Sequence, residues 1–208
     1  LGLRTGALET GSNITAYRSW RDYQELLPEL ARAVVDNGAD AGVVLDNNAD
    51  HLILIDNKGQ VVQEELLTAL LSLIILKNGE GPVVVPVTSP RVIDDLAQKY
   101  QSRVVRTKTA LQDFLEKVLD PVNGVNDLSQ FFLHFDGLAA LVRVLGHAAH
   151  FNVSLSDLVA EIPEFFMSKG EAPVSWEAKG RVIRELIQDP SASQLELLDG
   201  VKVFHPNG

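Results

Sequence analysis

Within RDYQELLPELARAVVDNG the apolar residues fall at 26, 27, 30, 31 and 34, a helical spacing that ends at the stop signal Asn37-Gly38. Two unbroken apolar runs follow. AGVVL (41–45) and HLILI (51–55) read as buried strands, and DNKG (56–59) supplies a turn after the second. Residues 64–77 are apolar enough for a buried helix, closed by Asn78-Gly79. PVVVPV (82–87) is a further strand. Ser89-Pro90 then reads as an N-cap with proline at the first helical position, opening a helix to about Tyr100. SRVVR is a strand, Thr109 is placed to cap the helix ALQDFLEKVL, and DPVNG is a turn. SQFFLHF (129–135) reads as a strand before a long helix from Asp136 to about His150, and SLSDLVAEIP adds a short capped helix. The composition turns polar around SKGEAP (168–173). SWEAKGRVIRELIQD is a last helix, and LELLDGVKVFH a hairpin about Asp199-Gly200. Strands alternating with helices of this length predict an α/β fold with mixed sheets flanked by helices.

Composition narrows the chemistry. The net charge of −10 over 208 residues, with no Lys/Arg block, argues against nucleic acid or an anionic membrane as partner. With no cysteine there are no disulfides, thiolate metal sites or cysteine nucleophiles; this is compatible with a cytoplasmic protein. LLTALLSLIIL (66–76) is about half the ~20 residues a membrane span needs. The N-terminus lacks the pattern of a signal peptide, and both ends suggest a fragment of a longer protein.

Chemistry concentrates in Asp46-Asn47-Asn48-Ala49-Asp50-His51. Asp46, Asn48 and Asp50 alternate by two, so a tight loop after a strand can turn three oxygen ligands toward one point, which suits Mg²⁺. An EF-hand is excluded, because His51 stands at its glycine and Asn57 at its bidentate glutamate. The competing reading is a plain polar turn, since Asn and Asp favour such positions in any protein. Among weaker candidates, Thr88-Ser89-Pro90 suits phosphate at a helix N-terminus or simple capping, and Arg106 and Lys108 suit a sugar phosphate or a charged surface. His147 and His150 can share a helix face, but no third metal ligand accompanies them. Trp20 and Trp176 read as packing residues.

GADAGVVLDNNADHLILIDNKGQVV resembles the metal-loop region of the α-D-phosphohexomutases, the phosphomannomutase and phosphoglucomutase family. VVVPVTSPRVIDDLAQKYQSRVVRTKTALQDFLEKVL resembles that family's third domain, FDGLAALVRVL its Asp-Gly helix, SLSDLVAEIPEFF its Ser-Leu…Pro segment, and WEAKGRVIREL the entry to its fourth domain. The resemblance covers about residues 25–190. It is nearest to the mutase-like C-terminal part of fused mannose-1-phosphate guanylyltransferases. It implies part of domain 2 over 1–80 with a degenerate metal loop and domain 3 over 81–167, both α/β/α, and a truncated start of domain 4 over 168–208.

The family's reaction passes a phosphoryl group between a phosphoserine and a hexose phosphate, with Mg²⁺ held by three aspartates. Carried over, Asp46, Asn48 and Asp50 are the metal ligands, and His51, Thr107, Lys108, Asp127 and Ser129 the substrate-binding residues. The departures are specific. Asn48 replaces an aspartate, which weakens or abolishes Mg²⁺ binding, and His51 replaces an arginine. Where the family has Glu-x-Ser-Gly-His, DLSQF puts Gln130 and Phe131 at Gly and His. No phosphoserine loop is present, so no catalytic residue is assigned. The resemblance thus implies a catalytically impaired module, inactive by itself, attached to a sugar-1-phosphate nucleotidyltransferase domain of the same longer chain. The alternative is part of an active Mg²⁺-dependent phosphohexomutase acting on a hexose phosphate.

Overall fold

A computed structural model describes residues 4–7, 20–122, 125, 127–168, 170, 172–188 and 194–204. The turn expected at 120–124 and the one after Phe204 lie partly or wholly outside the described residues, as does the Trp20 side chain.

Helix α1 (Trp20–Asp36) leads into an antiparallel meander of β1 (Ala41–Leu45), β2 (Leu52–Asp56) and β3 (Val61–Val62). Every residue of β2 is buried because the sheet is covered on both sides. Ile53 and Ile55 point toward Tyr23, Leu27 and Val34 of α1. Leu52 and Leu54, on the opposite face, join the main core. The continuous apolar run in the sequence is therefore two alternating faces, each with its own partner. Gly42 is required by this packing, since a Cβ there would lie 2.6 Å from a Val34 methyl.

The turn from β2 to β3 is built by Asp56. Its buried carboxylate accepts the backbone N–H groups of Lys58 (2.8 Å) and Gln60 (2.9 Å), with Gly59 at φ +84°. Strand β3 is too short to have been legible as a separate element.

Helix α2 (Glu64–Lys77) is apolar on every side, with residues 69–76 all buried. It contacts β2, β4 (Val83–Pro86), α3 (Val92–Lys99) and α6 (Gly137–Phe151), so a single core runs from Leu52 to Ile162. Each fully buried Leu or Ile on it contributes about 2 kcal/mol. Strands β4 and β5 (Val104–Thr107) pair in parallel across α3. Val83 and Val85 face α2, whereas Val84 faces Phe114 and Val118 of α4 (Leu111–Leu119). Helices α5 (Ser129–Phe135), α7 (Leu155–Ala160) and α8 (Trp176–Ile187) and the antiparallel hairpin β6 (Gln194–Glu196)–β7 (Lys202–Phe204) complete the described chain. The α/β class with helix-flanked sheets is as the sequence predicts, although each sheet among the described residues is purely antiparallel or purely parallel rather than mixed. Among the described residues no single helix is long and apolar enough to cross a membrane.

Four local expectations are corrected. SQFFLHF is helix α5 rather than a strand, because Gln130, Leu133 and His134 share a helical face turned inward against β4. Helix α3 begins at Val92 with Arg91 as its N-cap, so neither Ser89 nor Pro90 starts it. Thr109 does not cap α4; Ala110 holds that position, and the Thr109 hydroxyl and backbone N–H both donate to Asp199 in the β6–β7 turn. Trp176 is 80% exposed, with the Lys179 ammonium over its ring, rather than packed. Ser154 caps α7 and Asp136 caps α6 as the pattern anticipates, each side chain accepting amide hydrogens of the first turn.

Replacing Asp56 with alanine leaves the Lys58 and Gln60 turn amides without their acceptor. Urea unfolding should show a loss of about 1–3 kcal/mol for Asp56→Ala.

Candidate functional site

The Asp46–His51 turn joins β1 to β2, and its own backbone closes it. Asp46 N–H donates to the His51 carbonyl (3.2 Å), Ala49 N–H donates to the Asp46 carbonyl (3.1 Å), and Ala49 takes a left-handed φ of +59°. Both side-chain oxygens of Asp46 are engaged within this turn. Oδ1 accepts the backbone N–H of Asp50 (2.8 Å) and of His51 (3.2 Å), and Oδ2 lies 3.0 Å from the His51 ring Nδ1. Burial works against the Asp46 carboxylate, but the His51 backbone and ring and the Asp50 amide outweigh it, holding its pKa below the ordinary value. Asn48 and Asp50 are exposed.

The loop is pinned from the other side by α6. Gly137 N–H donates to the Ala49 carbonyl at 2.7 Å, and a Cβ on Gly137 would lie 2.9 Å from that oxygen. A glycine is needed here for the close approach.

Asp127 and Ser129 come together at the start of α5. The Ser129 amide and hydroxyl donate to the two Asp127 oxygens (2.9 and 2.6 Å), and these hydrogen bonds lower the Asp127 pKa, with the Arg143 charge adding to the effect. The next residue does more than the sequence reading gave it. Gln130, 2% exposed, accepts Val84 N–H at 2.9 Å and donates to the Pro82 carbonyl at 2.9 Å. His134, one turn on, makes a hydrogen bond with the Val84 backbone. Side chains of α5 thus complete the edge of β4 that β5 does not pair. A polar residue among four aromatics and a leucine was the available signal.

At the carboxyl end of β5, Thr107 is buried and its hydroxyl donates to the Lys108 carbonyl. The Lys108 ammonium pairs with Asp113 at 3.1 Å. Arg106 donates to the Ser89 carbonyl (2.6 Å) and pairs with Asp94, bracing the loop after β4, and Lys202 donates to the Val87 carbonyl (2.9 Å). Arg106 thus meets the Ser89-Pro90 candidate through its backbone, while the other candidate groups contact their own surroundings. Asp46 meets His51, Asp127 meets Ser129, and Lys108 meets Asp113.

A divalent cation needs free oxygen ligands and an excess of negative charge. Here Asp46 is committed to its own turn, Asn48 is neutral, and among the described residues no three His, Cys, Asp or Glu side chains gather to hold a metal. The residues present do not fit Mg²⁺ in this conformation.

No protein-family model matches the chain. It is 26% identical over 180 residues to a phosphoglucomutase/phosphomannomutase of Thermococcus kodakarensis, covering 82% of this chain and 40% of the relative. To a phosphomannomutase of Methanocaldococcus jannaschii it is 24% identical over 192 residues, 88% of this chain and 42% of that protein. The crystal structure of a phosphoglucomutase/phosphomannomutase family protein from Burkholderia thailandensis superposes with a TM-score of 0.65 at 19% identity, over 88% of this chain and 41% of that one. Its homologues and structural neighbours are phosphohexomutases. This phosphohexomutase-like chain spans less than half the length of those proteins.

The inward face of α5 carries a cost at low pH. The His134 ring packs on Phe114 at 4.8 Å, its Nε2 buried without a partner, and burial lowers its pKa to about 4 despite the bond to Val84. The unfolded chain, with an ordinary His pKa, binds the proton first as pH falls, so the stabilisation is complete above about pH 6.5 and is lost toward the folded value. Chemical unfolding at about pH 7 and about pH 4.5 should differ by about 2–3 kcal/mol more in the wild type than in His134→Phe.

Proposed function

We propose that this chain is a phosphohexomutase-like module of carbohydrate metabolism whose catalytic loops serve its own fold. The observation that carries the reading is the Asp46 carboxylate, the one carboxylate in the loop wrapped by its own turn. Both of its oxygens are held by His51 and Asp50, the positions that would flank a bound cation. The neutral Asn48 supports the same conclusion, and so does the mutual capping of Asp127 and Ser129. In this reading Asp46, Asn48 and Asp50 are the remains of a Mg²⁺ loop. His51, Thr107, Lys108, Asp127 and Ser129 stand where the family meets its hexose phosphate.

The domain divisions at about residues 80 and 167 belong to the same proposal. So does attachment to a sugar-1-phosphate nucleotidyltransferase on one cytoplasmic chain, for which the resemblance of the sequence to the mutase-like part of fused mannose-1-phosphate guanylyltransferases is the support. The module would then act in binding, regulation or assembly rather than in phosphoryl transfer.

Calorimetric titration of Mg²⁺, with and without a hexose 1-phosphate, tests this. The wild type and Asp46→Ala should give the same featureless heats. The double variant Asn48→Asp/His51→Arg, which restores a carboxylate and takes the imidazole off Asp46, should gain saturable Mg²⁺ binding that the wild type lacks. Saturable binding in the wild type that vanishes in Asp46→Ala would favour the active phosphohexomutase instead.

A further inference from the structure

We propose that the groove between the C-terminal end of α2 and helix α6 binds a small oxyanion, a phosphate or a carboxylate, through Arg143 and His147. The groove measures about 410 Å³, and Asn78, Arg143, Gly146, His147, His150 and Phe151 are among the residues that line it. Arg143, His147 and His150 fall at i, i+4 and i+7 of α6, so they share one face.

Two of these side chains carry buried hydrogen-bonding atoms with nothing in the protein to bond. His147 is 5% exposed and neither ring nitrogen has a partner; Arg143 Nε is buried and likewise unpartnered, although its Nη2 pairs with Glu80. A guanidinium Nε is always a donor, and an imidazole carries at least one N–H in any state. Two donors one turn apart therefore share a groove and lack acceptors, and an unmet buried donor is costly. The complementary ligand presents several acceptor oxygens, with charge to strengthen each bond, which describes an oxyanion. A cation is disfavoured by the same donors, and no metal-holding group occurs among the described residues.

The surrounding charge leaves room for an anion. Lys77 of α2 is neutralised by Glu161 at 2.6 Å, and Glu80 by Arg143, so the groups facing His147 carry little net charge. Burial, with Lys77 and Arg143 adding to it, holds the His147 pKa below the ordinary value, so the ring is neutral near pH 7 until an anion arrives. An anion beside it favours the protonated ring, and binding should tighten as pH falls. Phe151 covers the imidazole, ring centroids 4.6 Å apart, and is itself half exposed at the last turn of α6. It is the side chain that must swing aside for a ligand to enter.

The test follows the imidazole nitrogens by NMR in the ¹⁵N-labelled 208-residue chain, titrated with inorganic phosphate, with acetate, and with chloride at matched ionic strength. The expected result is a saturable shift of the His147 ring with phosphate or acetate and not with chloride; whichever anion binds tighter names the ligand class. Affinity for acetate, whose own charge is constant above about pH 6, should be greater at about pH 6 than at about pH 8, because the bound anion favours the protonated His147 ring. Arg143→Gln should weaken binding at least tenfold. Phe151→Ala, which leaves both donors in place, should keep or tighten it. A His147 response no larger than chloride gives, unchanged affinity in Arg143→Gln, or loss of binding in Phe151→Ala would overturn the assignment.

Discussion

A two-stranded parallel sheet leaves both outer edges open, and the way the β4 edge is closed shapes this molecule. No third strand pairs with β4 among the described residues. The Gln130 carboxamide instead takes the Val84 N–H and the Pro82 carbonyl, and His134 takes its place one turn later. An unpaired buried amide is costly and an open strand edge invites foreign pairing, so side chains standing in for a strand are a strong constraint. They require residues 129–135 to be helical, since a helix sets Gln130 and His134 about 6 Å apart along its axis, within reach of one short stretch of β4, whereas a strand would hold them about 13 Å apart. They also fix where α5 ends. The chain turns at Asp136, which caps α6, and Gly137 then presses on the Ala49 carbonyl. The closure of one sheet edge is thereby linked to the loop of the other sheet.

Helix α2 makes that link rigid. Apolar on all sides and buried from residue 69 to 76, it packs against β2 of the meander, β4 of the parallel pair, and α3 and α6. Around this frame, polar groups of the candidate site make structural contacts. Asp46 organises its own turn, Asp127 and Ser129 start α5, and Arg106 braces the loop after β4.

Most of the frame was legible because it rests on periodicity. The all-apolar run at 66–76, the two strands around the polar turn, the capped starts at Asp136 and Ser154 and the late hairpin all follow from side-chain patterns. The misreadings share a cause. SQFFLHF is ambiguous by period, and the decision was made by Gln130 meeting β4, a partner 46 residues away. Thr109 was drawn from its capping position by Asp199, 90 residues on. The candidate loop was legible in its residue types but not in its state. Spacing shows that Asp46 and His51 are near one another, while only the fold shows the ring on the carboxylate. The buried donors of α6 gave no sequence signal beyond a pair of histidines three apart.

The central claim is that a side chain on α5 does the work of a strand at the β4 edge. Amide hydrogen exchange at Val84 measures it directly, comparing wild type with Gln130→Ala under native conditions. The account predicts that Val84 exchanges as slowly as the core amides of α2 in the wild type and loses that protection selectively in the variant, while the amides of β5 keep theirs. A Val84 amide that exchanges freely in the wild type, or stays equally protected without Gln130, would contradict it.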